Sequence, residues 1–71
     1  MRAREIIFEF RRIGSVVKVT AIDVASGTEA VIAAPAHAAE YALRDAARRK
    51  LAYVMKRQGL ALDEGPTESG A

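Results

Sequence analysis

Apolar positions in this chain change their period once. Over residues 5–24 they recur at every second position, and over residues 36–58 at every third or fourth. The first spacing belongs to strands with one buried face, the second to an amphipathic helix. The helical stretch, from Pro35 to Gly59, is the element on which the rest is laid.

In residues 5–13, EIIFEFRRI, Ile6, Phe8 and Phe10 fall on one face, with Ile7, Glu9, Arg11 and Ile13 on the other. Gly14-Ser15 reads as a two-residue hairpin turn, because glycine at the first position supplies the positive φ of a type II′ turn. Counting back from it sets Ile13 opposite Val16, Phe10 opposite Val19 and Phe8 opposite Ala21. On the reverse face Arg11 meets Lys18, Glu9 meets Thr20 and Ile7 meets Ile22. Asp23 through Thr28 forms the second turn, a type I turn closed by a left-handed Gly27. A third strand over residues 28–34 then sets Ala30 against Ala21, Ile32 against Val19 and Ala34 against Val17. The large apolar side chains of all three strands share one face, which fixes the register.

Pro35 suits the first turn of a helix, where its missing N–H is no loss, and His37 then falls in that turn. No Ser, Thr, Asp or Asn caps this start, so it is weakly specified. From Ala36 to Gln58 no Gly or Pro intervenes. Leu43, Ala47, Leu51 and Val54 form one stripe with Met55 at its edge. Glu40–Arg44 and Asp45–Arg49 are favourable i,i+4 pairs, and Gly59 fits the C′ position. A helix over this stretch would be about 35 Å long. The pattern predicts an α+β fold: a three-stranded antiparallel β-meander with one C-terminal α-helix packed on one face, β-β-β-α. Residues 1–60 form that single domain, and 61–71, rich in Gly, Pro, Ser, Thr and acid, read as a disordered acidic tail.

Composition narrows the picture. The 71 residues contain no cysteine, so neither a disulfide nor a thiolate metal site supplements a small core. Packing or self-association is left to do so. The N-terminal run is too short and too charged for a signal peptide, and no stretch approaches a membrane span, so a cytoplasmic protein is expected. All 11 Lys and Arg precede Gly59, whereas three of the nine acids follow it. The body therefore carries 11 − 6 = +5 and the tail −3.

Candidate chemistry is sparse. His37 is the single histidine, with no second ligand to complete a metal site. Ser15 and Ser26 occupy turns, outside any strand–turn–helix nucleophile setting. No Gly-rich phosphate loop is present, and Glu9 and Asp23 lie on opposite sheet faces. The expectation is a non-enzymatic protein without cofactor, metal or small-molecule substrate. What remains is surface. Ile7, Ile13, Val16, Ile22 and Val31 all face away from the helix, more β-branched apolar surface than a small monomer leaves wet. They predict a protein–protein interface, with a second copy or another protein. The alternative is nucleic-acid binding by Arg4, Arg11, Arg12 and Lys18, without interleaved aromatics for base stacking.

The runs EIIFEFRRIG, SVVKVTAIDVASGTE and ALRDAARRKLAYV resemble a family of short, uncharacterised bacterial proteins, over about residues 4–58. The resemblance implies the fold unit and no site residues. Some members carry a serine hydroxymethyltransferase label. That chemistry holds pyridoxal phosphate on a lysine in a large two-domain subunit, whereas Lys18, Lys50 and Lys56 fall on a strand and a helix without a pocket. At the level of fold, the domain is similar to DNA-binding domains with three strands and one helix, as in integrase N-terminal and plant ethylene-response domains. Those lay the free sheet face in the major groove, which would make Arg11 and Lys18 the readers.

Overall fold

The computed structural model describes residues 5–60. Three strands, β1 (Ile6–Ile13), β2 (Val16–Asp23) and β3 (Glu29–Pro35), pair antiparallel in the order β1-β2-β3. One helix, α1 (Glu40–Arg57), packs on the sheet. The expected β-β-β-α meander is therefore the observed architecture. Arg4 and the acidic stretch 61–71 lie outside the described residues.

Both turns form as their residues require. Gly14 has φ 62° and Ile13 pairs with Val16, so the β1–β2 register is the one counted from the turn. Gly27 has φ 77°, and Asp23 N donates to Thr28 O at 2.9 Å while Gly27 N donates to Asp23 O at 2.8 Å. Ala21 meets Ala30, Val19 meets Ile32 and Val17 meets Ala34. The Asp23 side chain is fully buried and accepts from Ser26 N at 3.0 Å and Ser26 Oγ at 2.6 Å. A carboxylate that bonds its own loop backbone replaces the ladder bonds the chain gives up in turning.

The helix start differs from expectation. Pro35 is the last residue of β3, opposite Val16, and Ala36 N continues the ladder by donating to Ser15 O at 2.8 Å. The chain then turns, with Ala38 N donating to Pro35 O at 3.0 Å, and α1 begins at Glu40 behind an extended Ala39 that makes no side-chain cap. Proline is tolerated here because β3 is an edge strand and Pro35 donates to no neighbour. His37 accordingly sits in this turn and not in the helix. The helix has 18 residues, which makes it about 27 Å long rather than 35 Å.

At its other end α1 closes as expected. Gly59 has φ 81°, Gly59 N donates to Lys56 O at 3.1 Å and Leu60 N to Met55 O at 2.8 Å. These are the two bonds of a Schellman motif. A Cβ on Gly59 would meet no atom within 4 Å, so substitution acts through the backbone alone. Gly59→Ala is expected to lose about 1 kcal/mol. In a thermal melt followed by circular dichroism that is a Tm lower by about 4–8 °C; an unchanged Tm would show that the motif contributes nothing.

The core is Val17, Val19, Ala21 and Ala30 from the sheet, with Leu43, Ala47, Leu51 and Met55 from the helix. Met55 is fully buried and Val54 only half-buried, the reverse of the expected order at that end of the stripe. The helix also sits to one side, over β2 and β3. Facing it there are Ala21, Ala30 and Ala34, whose small side chains allow close approach. Ile6, Phe8 and Phe10 on β1 stand taller and flank it. Phe10, expected in the core, is 39% exposed as a result.

Candidate protein interface

The sheet face away from α1 is built in four rows across the strands, fixed by the register. They run Ile7–Ile22–Glu29, Glu9–Thr20–Val31, Arg11–Lys18–Ala33 and Ile13–Val16–Pro35. Ile7, Ile13, Val16 and Val31 are between 40% and 52% exposed. Ile22 is half-buried, because β2 is the central strand and Ile7 and Glu29 flank it on both sides. The five residues do not form one patch. Ile7 and Ile22 pair directly, and Val31 lies on the diagonal from Ile22, within side-chain reach. Ile13 and Val16 pair at the hairpin end, beside Pro35. Between these two apolar ends runs a polar band of Glu9, Arg11, Lys18 and Thr20.

The basic residues are also divided. Arg11 and Lys18 are exposed and directly opposed in that band, a like-charge pair across the ladder. Arg12 has the opposite strand parity and belongs to the helix side, where its Nε donates to Gly14 O at 3.0 Å. Two of the four nucleic-acid candidates therefore share a face, and Arg4 is outside the described residues.

One arrangement went unread in the sequence. Arg44 spans Phe8 and Phe10, its guanidinium carbon 5.3 Å and 5.5 Å from the two ring centroids. Its Nε and Nη2 bond Glu40 Oε2 at 2.9 Å and 2.7 Å. The Glu40–Arg44 spacing was visible; what it hid was the sideways displacement of α1, which brings that flank of the helix against β1. The other flank reaches over β3, where Lys50 Nζ donates to Val31 O at 2.7 Å.

His37 is exposed and borders a shallow, open depression with Ser15, Val16, Ala33, Ala34 and Pro35. That lining is mostly apolar and offers two polar side chains. Among the described residues no three of His, Cys, Asp or Glu gather as a metal site, and no helix is long and apolar enough to cross a membrane.

Residues 3–58 match a family model described as a domain of unknown function (DUF6898). No curated protein and no solved structure matches the chain.

Proposed function

The chain belongs to this family, whose function is unknown, and we propose from its surfaces that it is a small non-enzymatic interaction protein. Its outer sheet face contacts a second copy of the chain or a protein partner. The observation that carries this reading is the exposure of Ile7, Ile13, Val16 and Val31 on the face that α1 leaves uncovered. Burying that surface is worth roughly 25 cal/mol per Å² of apolar area, a gain a domain with so small a core has reason to use. The cytoplasm is the compartment that fits a chain without cysteine. The hydroxymethyltransferase label on resembling bacterial proteins draws no support from Lys18, Lys50 or Lys56, which are all exposed, with Lys50 engaged by Val31 O.

Ile22→Lys is the test of the face. It places a charge at the junction of Ile7 and Val31 while leaving the helix side untouched. The expected outcome is a loss of association by sedimentation together with a lower Tm. An unchanged assembly mass would exclude the outer face as the contact. The second reading, nucleic-acid contact, is favoured by the opposed Arg11 and Lys18, whose repulsion a phosphate would relieve. It requires salt-dependent binding to duplex or single-stranded DNA, reduced in Lys18→Ala; its absence at low salt removes this reading.

A further inference from the structure

The two edges of the sheet are treated differently. Along β3, the bonds Asp23 N to Thr28 O and Ala36 N to Ser15 O show that Thr28, Ala30, Ile32, Ala34 and Ala36 face β2. Glu29, Val31, Ala33 and Pro35 therefore direct their backbone groups outward. That edge is blunted: Lys50 Nζ occupies Val31 O, and Pro35 has no N–H. Along β1, the Val24 N to Glu5 O bond at 3.1 Å and the Ile13–Val16 turn pair set the odd-numbered residues toward β2. Ile6, Phe8, Phe10 and Arg12 direct N–H and C=O outward. Among the described residues no strand covers them, and no proline interrupts them.

We infer that β1 pairs antiparallel with β1 of a second copy, with Phe10 opposite Phe10 at the two-fold axis, making one continuous six-stranded sheet. It rests on the self-association reading but places the contact at the strand edge instead of the outer face, so Ile22→Lys would leave this dimer intact. The sequence of the strand selects the register. Only residues of like parity can pair, because the outward groups are all on even positions. Centred on Phe10, Glu9 of each copy faces Arg11 of the other, Ile7 faces Ile13, and Phe8 faces Arg12. Every pair is complementary: opposite charges, aliphatic with aliphatic, cation with aromatic ring. Neighbouring registers fail this test. Centring on Glu9 opposes two glutamates and sets Ile7 against Arg11, centring on Arg11 opposes two arginines, and centring on Phe8 sets Ile7 against Glu9. The charges of β1 thus act as register marks. The two-fold runs perpendicular to the sheet, so both helices lie on one side and the outer faces join into one surface.

The chain has no cysteine, so single cysteines read the register directly. Residues exchanging both backbone bonds have Cα atoms about 5.5 Å apart, inside disulfide range. The full-length Phe10→Cys chain, mildly oxidised, is expected to run as a covalent dimer. Phe8→Cys and Arg12→Cys, which face each other's positions and not their own, stay uncrosslinked. A second arm uses charge: Glu9→Arg weakens the dimer by at least about tenfold through two new like-charge pairs, and Glu9→Arg combined with Arg11→Glu restores it. A dimer of native mass in which Phe10→Cys does not crosslink, or the double variant does not recover, overturns the edge pairing and leaves face-to-face association standing. A monomeric mass for the unaltered chain overturns both.

Discussion

Leu51→Ala is expected to leave the domain mostly unfolded near physiological temperature. Leu51 is fully buried at the middle of the helix stripe, and three of the eight core residues are alanines. Neighbours that small cannot move in to fill the void, so the loss lies toward the upper part of the 2–5 kcal/mol range for such truncations. A domain of this size has about 3–8 kcal/mol of stability to lose. Urea titration followed by far-ultraviolet circular dichroism measures it, with Tyr41→Ala, at an 80% exposed helix position, as the control that should change little. A loss under about 1 kcal/mol for Leu51→Ala would mean that the helix is not packed as described.

The second large effect is at Asp23. Asp23→Ala removes the buried acceptor of Ser26 N and Ser26 Oγ and is expected to lose about 2 kcal/mol. The β2–β3 loop is also joined to the helix end, with Thr28 Oγ1 donating to Gln58 Oε1 at 3.0 Å. Loosening it therefore frees the C-terminal turn of α1 as well. Ser26→Ala, which keeps the Ser26 N–H bond, should lose less, about 0.5–1.5 kcal/mol. Equal losses for the two variants would place the loop's stability in the hydroxyl and not in the carboxylate.

Local chemistry made much of this fold legible. Gly14-Ser15 determines every pair between β1 and β2, and Asp23 with Gly27 determines those between β2 and β3, because a turn of known length leaves one register with all large apolar residues on the same side. The helix stripe and the Gly59 cap follow from 3.6-residue spacing and from the positive φ that glycine tolerates. The start of α1 was illegible for the converse reason. Ala36, Ala38 and Ala39 favour helix by propensity, and no capping side chain marks where it begins. The exposure of Phe10 depends on where the helix lies across the sheet. That position is a balance of side-chain heights, alanines on β2 and β3 against phenylalanines on β1, and periodicity along one strand carries no information about it. The candidate interface shared this fate. Strand parity puts its residues on the right face, but their separation into two apolar ends around Glu9, Arg11, Lys18 and Thr20 emerges only across all three strands. The difference between the β1 and β3 edges likewise needs Lys50, 19 residues from Val31.

Both the exposed outer face and the unpaired β1 edge point to self-association of this domain through its sheet. Sedimentation equilibrium of the full-length chain at micromolar concentration tests it most directly. The expected mass is twice 7.6 kDa, falling toward one chain in Glu9→Arg. A mass of 7.6 kDa for the unaltered chain across the whole concentration range would contradict it.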